Sequence, residues 1–143
     1  MDQKYVRLTD LLMNCWNVWS EDGAIPPEAR IDPEMLLPVW DECFLVQVLE
    51  SGRFRYDYLG KSLIEAYGED YSQEEVDSLV SPHKQKVVKR FDEVVKRGIP
   101  LEDEGEFRNS LGLTIKYRQL LLPFSGSSGR VEYVLGGMRW KAF

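Results

Sequence analysis

Residues Cys43–Gly60 read CFLVQVLESGRFRYDYLG. Phe44, Val46 and Val48 alternate with Leu45, Gln47 and Leu49. After Glu50-Ser51-Gly52, Phe54, Tyr56 and Tyr58 alternate with Arg53, Arg55 and Asp57. Period-two alternation of β-branched and aromatic residues predicts two antiparallel strands, each buried on one face. The Ser-Gly step supplies the positive φ that a short hairpin needs, and Gly60 stops the second strand. No catalytic centre is visible here or elsewhere, so the functional reading rests mainly on the fold.

Composition narrows the class. A chain of 143 residues suits one domain with a real core, and 43% hydrophobic with 29% charged residues is globular rather than disordered. No apolar run approaches the ~20 residues of a membrane span. The opening MDQKYVRLTDLL carries an acid at once and no compact apolar stretch, so a secretory signal is not expected and the cytosol is. Cys15 and Cys43 show no metal spacing. In a reducing compartment they read as buried thiols, with a disulfide as the alternative. A net charge of −6 argues against nucleic acid as a partner. Against that acidic background, Lys84, Lys86, Lys89, Arg90, Lys96 and Arg97 face only Asp92 and Glu93 in one segment. This run reads either as a solvated helix face or as a docking surface for an acidic partner, with Lys86, Lys89 and Arg90 the candidates.

Outward from the hairpin, the chain alternates short helical and extended patterns. Tyr5, Leu8, Leu12, Cys15 and Trp19 recur at helical spacing and predict an amphipathic helix over residues 2–20, with Asp2 as N-cap and Gly23 as terminator. The stripe either covers the domain's own sheet or forms the seam of a homodimer. Asp32-Pro33-Glu34 opens a short helix, which Pro38 should end by pushing Leu37 out of the α region. Lys61–Tyr67 is a short helix ended by Gly68, and Ser72 with Glu75 reads as a capping box for the next one, carrying Val76, Leu79 and Val80. Ser81-Pro82 starts the most strongly patterned helix, with Val87, Val88, Phe91, Val94 and Val95 on one side and Gly98 at its end. Three strands follow: a short polar edge strand at 104–109, a long one at 113–124 whose pairing Pro123 should end, and a last one at 131–140. Gly136-Gly137 within it signals a bulge or close packing by an aromatic. Helices segregated on an antiparallel sheet make an α+β domain.

These local patterns, in this order, resemble a PAS domain, and most closely the single-domain bacterial PAS_5 group. The resemblance lies in Phe44-Leu45-Val46, Gly52-Arg53-Phe54-Arg55-Tyr56, Leu59-Gly60 and Glu65-Ala66-Tyr67-Gly68-Glu69-Asp70. It continues in Leu120-Leu121-Leu122-Pro123-Phe124, Val134-Leu135-Gly136-Gly137 and Trp140. It covers residues 37–143 and leaves 1–36 as a flanking helix and linker. Ser72-Gln73-Glu74 departs from the group, which often has a glycine there. The resemblance implies a five-stranded antiparallel sheet in the order 2-1-5-4-3, helices on one face, and an N-terminal helix that often mediates dimers. It also implies a sensory or partner-docking role rather than catalysis, and a pocket for a small apolar or aromatic ligand.

The candidate pocket residues are Phe44, Val46, Tyr56, Tyr67, Val88, Phe91 and Tyr117, which read equally as a filled core. His83, the one histidine, falls at the very start of the long helix and should point to solvent, which argues against haem. Flavin photosensors of this fold carry an asparagine-cysteine-arginine-phenylalanine core. Cys15, between Asn14 and Trp16, and Cys43, after Glu42, do not match it, which argues against flavin. Glu102, Asp103, Glu104 and Glu106 read as solvated strand carboxylates. No metal set, phosphate loop or nucleophile–base pair is present. The first expectation is a non-enzymatic homodimeric regulator that contacts a protein partner. The alternatives are a small-molecule carrier or an enzyme of a cone-shaped α+β fold.

Overall fold

The structure, a computed structural model, describes residues 7–78 and 83–143. Tyr5, Asp2, Leu79, Val80 and the Ser81-Pro82 helix start lie outside the described residues. Among the described residues, four helices, α1 (Leu8–Trp19), α2 (Pro33–Leu36), α3 (Lys61–Tyr67) and α4 (Lys84–Arg97), accompany five strands. These are β1 (Cys43–Val48), β2 (Phe54–Leu59), β3 (Leu101–Arg108), β4 (Thr114–Ser125) and β5 (Val131–Ala142). They form one antiparallel sheet in the order β2-β1-β5-β4-β3, the order the resemblance implies.

The opening hairpin forms as read, with Gly52 at φ 86°. Its second strand does not keep one face, however. Val46 pairs with Tyr56 but Leu45 pairs with Tyr58, so Asp57 is an extra residue in the ladder. Phe54 and Tyr56 enter the core on one side of the sheet, while Tyr58 crosses to the other and stacks on Trp40 at 4.5 Å. A bulge re-aims the side chain that follows it.

α3 and α4 sit on one face, and the N-terminal helix flanks the other. The inner face, under α3 and α4, buries Phe44, Val46, Tyr56, Phe91, Ile115, Tyr117, Leu121 and Val134. The outer face buries Cys43, Leu120, Leu122, Phe124 and Leu135 against Leu8, Leu12, Cys15, Trp16 and Trp19 of α1. Leu12 is 0% exposed. The Trp16 Nε1–H donates to the Pro123 carbonyl at 2.9 Å, and Trp19 lies 6.0 Å from Phe124. The α1 stripe is thus spent on the chain's own sheet, the first of its two readings. Among the described residues, Leu8, Leu12, Cys15 and Trp19 of that stripe leave no exposed seam for a second copy to occupy, since an apolar surface can be withdrawn from water only once.

Several local expectations are corrected. Leu37 stays in the α region (φ −48°, ψ −43°), and a 3₁₀ segment, Leu37–Glu42, continues with Pro38 in its first turn, where a missing N–H costs nothing. Ser72 caps no helix. Its N–H and hydroxyl both donate to Asp70 Oδ1, Gln73 takes φ 69°, and the chain pairs back on β2 through Gln73 N–H to the Tyr56 carbonyl at 2.6 Å. The capping-box motif lost to an Asx turn, which offers the same backbone donors a nearer acceptor. Pro123 stays inside β4, pairing opposite Val134. β3 reaches only Leu121, so β4 is an edge on that side at Pro123, where a missing donor is tolerated.

No bulge marks Gly136-Gly137, where β5 keeps register with both neighbours. A Cβ on Gly136 would fall within the Phe44 ring, and one on Gly137 within the Leu12 side chain. The pair therefore reflects close packing, by an aromatic on the inner face and a leucine on the outer.

Candidate functional site

The α4 stripe Val87, Phe91 and Val94 is buried over the inner face of the sheet. Phe91 lies 5.3 Å from Phe54 and 6.1 Å from Phe44, whose ring meets Tyr56 at 6.1 Å edge-on. Four pocket candidates, Phe44, Val46, Tyr56 and Phe91, are thus brought together, and at this end they fill the space themselves. Val88 sits at the margin of the group: half-buried, it packs against the cluster and also lines a shallow groove with Asp77, Lys84 and Lys89. Val87 takes its inward place.

The other end of the inner face is different. Tyr67 of α3 stacks on Phe107 at 5.2 Å and meets Tyr71 at 5.7 Å. Phe107 also carries the His83 ring at 4.5 Å, nearly parallel, with Tyr117 5.9 Å away. Tyr67, Tyr71 and His83 are half-buried. His83 does not point to solvent. Its ring lies between Phe107 and the edge of Tyr117, 5.5 Å away. Burial, and then the Lys86 charge, push its imidazole down to about 4. The Tyr56 and Tyr67 phenols lie close to each other at this end. Burial raises both phenols, Tyr67 to about 12. Tyr117 rises through burial and the Asp103 carboxylate beside it.

Asp103 is the functional-looking residue that the sequence reading placed wrongly. Its side chain is 5% exposed, while Glu102, Glu104 and Glu106 are exposed. Arg90 Nε donates to Oδ1 at 3.0 Å, and Gln119 Nε2 and the Tyr117 hydroxyl donate to Oδ2 at 3.0 and 3.3 Å. The signal was available: at period two, Asp103 shares a face with Leu101 and Phe107. Two docking candidates are used up nearby. Arg90 bridges Asp103 and Glu93, and Lys86 Nζ donates to the Glu104 carbonyl at 3.1 Å over the Tyr117 ring. A side chain on Gly105 would collide with that lysine, so glycine gives it passage. Of the three, only Lys89 is exposed.

Both cysteines are free thiols of the outer face, on the side away from the aromatic end. Burial raises both, Cys43 to about 12 with help from the Glu42 charge, so neither carries the thiolate that nucleophilic chemistry needs. Among the described residues there is no group of three or more metal-ligating side chains, and no helix is long and apolar enough to cross a membrane.

A sequence model described as PAS_5, PAS domain, matches residues 5–139, taking in α1 as well as the sheet. A search of curated proteins gives no match. Among solved structures, the chain is similar to a light-oxygen-voltage domain studied with a flavin analogue. The identity is 13% and the TM-score 0.58, over 76% of this chain and 82% of that one. It is similar also to the LOV protein of Rhodobacter sphaeroides (12%, TM-score 0.51, 92% and 67%). A third likeness is to the N-terminal domain of a diguanylate cyclase with PAS/PAC sensor from Marinobacter aquaeolei (15%, TM-score 0.50, 68% and 93%). At such identities the likeness is one of fold. With the strand order and the family match over nearly its whole length, the chain belongs to the PAS_5 family of PAS domains, a class generally sensory rather than catalytic.

Proposed function

We propose that the chain is a cytosolic, non-enzymatic sensory module that works as a homodimer. It takes a small planar or apolar ligand at the Tyr67–Phe107–Tyr117 end of the inner face and relays its presence to a protein partner. The observation that carries this reading is the asymmetry of the inner face. One end is closed by Phe44, Phe54 and Phe91, while at the other the rings of Tyr67, Tyr71 and His83 stay half-buried around Phe107. Ring faces with phenol tips suit an aromatic ligand that also makes one or two hydrogen bonds. The Asp103 carboxylate, held by Arg90, Tyr117 and Gln119, serves as the floor of this end and not as a free base, which favours binding over catalysis.

The light-oxygen-voltage likeness raises flavin, and these residues do not fit a thiol-adduct flavin site. Both cysteines lie across the sheet with raised pKa values. Haem fits no better, because the His83 ring is committed to stacking on Phe107. Native mass spectrometry of freshly purified protein tests the proposal, since it reads bound mass and subunit count together. A dimer carrying a small molecule that is lost in Phe107→Ala supports it. A monomer without bound mass, unresponsive in melting temperature to planar aromatic probes such as indole, overturns it.

A further inference from the structure

We propose that the ligand of the aromatic end is an acid, a planar ring bearing a single carboxylate that Lys86 receives. This rests on the ligand reading above and names the ligand's chemical class. The Lys86 side chain leaves the start of α4, half-buried, and crosses to β3 at the edge of the sheet. Its Nζ lies 3.1 Å from the Glu104 carbonyl oxygen and 5.4 Å from the centre of the Tyr117 ring. Gly105, paired with Tyr117 across the ladder, leaves that path open, since a Cβ there would fall on Nζ. The Tyr117 ring is shared ground. His83 is 5.5 Å from it and Phe107 5.9 Å, and Tyr67 stacks on Phe107 at 5.2 Å. An ammonium therefore stands about one ring-width from the surface that suits a planar ligand.

The charges at this end leave Lys86 in excess. Asp103 is matched by Arg90 at 3.0 Å, and Glu104 turns its carboxylate to the other face, where it meets Arg118 at 3.3 Å. Lys86 pairs with no carboxylate among the described residues; a carbonyl and a ring face are its partners. An ammonium has three N–H donors, so with one on Glu104 two are left for a ligand. In the first turn of α4 its charge also opposes the helix dipole, a cost that a bound anion relieves. The anion is a carboxylate rather than a phosphate. A compact ammonium answers one negative charge. The second charge of a phosphate would face the Asp103 carboxylate, which lies close enough to act on both His83 and Tyr117. Half-buried among these rings, an ammonium–carboxylate pair is worth more than the same pair on open surface.

Calorimetric titration of the full chain tests this with indole-3-carboxylate, indole and tryptamine, which put a negative, a neutral and a positive group on one ring. The wild type should bind the acid roughly tenfold or more tightly than indole, and tryptamine more weakly than indole. Lys86→Met keeps the apolar stem over Tyr117 and removes the charge. It should bring the acid down to the affinity of indole and leave indole itself unchanged, which also shows that the variant is folded. Lys89→Met, at an exposed position on the same helix, should keep the preference for the acid. A loss there equal to that in Lys86→Met marks a general effect of surface charge and overturns the proposal. Acid and indole binding alike to the wild type, or a preference for the acid that survives in Lys86→Met, overturns it while leaving a planar ligand at this end standing. Failure of all three probes to bind overturns both.

Discussion

Gly137→Ala tests whether α1 and the sheet form one cooperative unit. The added methyl would meet Leu12 Cδ1 closer than 3.0 Å, with two Leu8 atoms at 3.2 and 3.3 Å behind it. Leu12 is fully buried, so it can yield only by moving α1 or leaving its rotamer. Overpacking of this kind costs ~1–3 kcal/mol. Alanine offsets ~0.5–1 kcal/mol of that, because glycine is the poorer strand residue. With Leu12 unable to yield freely, the overpacking cost lies in the upper half of its range, ~2–3 kcal/mol, so the net loss is about 1–2.5 kcal/mol, a fall in Tm of roughly 3–10 °C. Leu12→Ala alone should cost ~2–5 kcal/mol by opening a cavity. The double variant places the new methyl in that cavity, so its loss should fall short of the summed single losses by ~1 kcal/mol or more. Urea unfolding followed by tryptophan fluorescence and by far-ultraviolet circular dichroism measures all three. With Trp40 and Trp140 replaced by Phe, the remaining Trp16 and Trp19 of α1 report the helix, and the dichroism reports the sheet as well, so coincident curves show one unit. A Gly137→Ala protein as stable as wild type, or additive losses, would refute the packing argument. Fluorescence transitions that precede the dichroism would refute the single unit.

Other expectations follow from single groups. His83 carries a depressed folded pKa of about 4 against 6.5, so the unfolded state binds its proton first as pH falls. The stability it contributes is fully present above 6.5 and is lost down to about 4. At most ~3 kcal/mol is involved, and His83→Gln should flatten the urea midpoint between those pH values. Arg90→Ala leaves the Asp103 carboxylate buried with only neutral donors and should cost ~3–5 kcal/mol, whereas Tyr117→Phe, which removes one donor, should cost ~1 kcal/mol in the same unfolding assay. Asn109→Ala orphans the Leu111 and Leu113 N–H groups and the Ala66 carbonyl, and should lower stability by ~2–3 kcal/mol. Native protein should resist thiol labelling at pH 8 and release two equivalents on unfolding, since both thiols are buried with raised pKa values.

Much of this fold could be read from local pattern. Period-two runs found β1, β2 and β4, and β3 was read three residues short at its start. Gly52, Gly68 and Gly98 marked a turn and two helix ends, where each takes a positive φ. What pattern missed depends on partners distant in sequence. The Asp57 bulge that turns Tyr58 outward is a property of two strands together and leaves no mark on either alone. The Ser72 capping box failed because Asp70, two residues back, offered a nearer acceptor, and Pro123 survives in β4 because β3 is short. Phe44, Val46, Tyr56 and Phe91 were read as one group with Tyr67 and Tyr117, because side-chain volume alone cannot say which end of a face is filled. Asp103 was passed over because a run of carboxylates looks solvated until the alternation within it is counted.

Gly136 and Gly137 join these strands of reasoning. They were conspicuous in the sequence, and their meaning depended on what lies above and below β5. Phe44 is pressed against one glycine from the aromatic side, and Leu12 against the next from the α1 side. β5 is the central strand, so the two helical layers are separated there by a single backbone with no Cβ to absorb a displacement. A shift of the Phe44 ring, whose neighbours are Tyr56 and Phe91, must be taken up by β5 or by those neighbours, because a close-packed core has no slack to hide it. If β5 takes it up, Leu12 and α1 move with it. The double-variant cycle at Gly137 and Leu12 measures the outer half of that linkage. The matching cycle at Gly136 and Phe44 measures the inner half, and a large interaction energy at one glycine with none at the other would break the chain of contacts between the two faces.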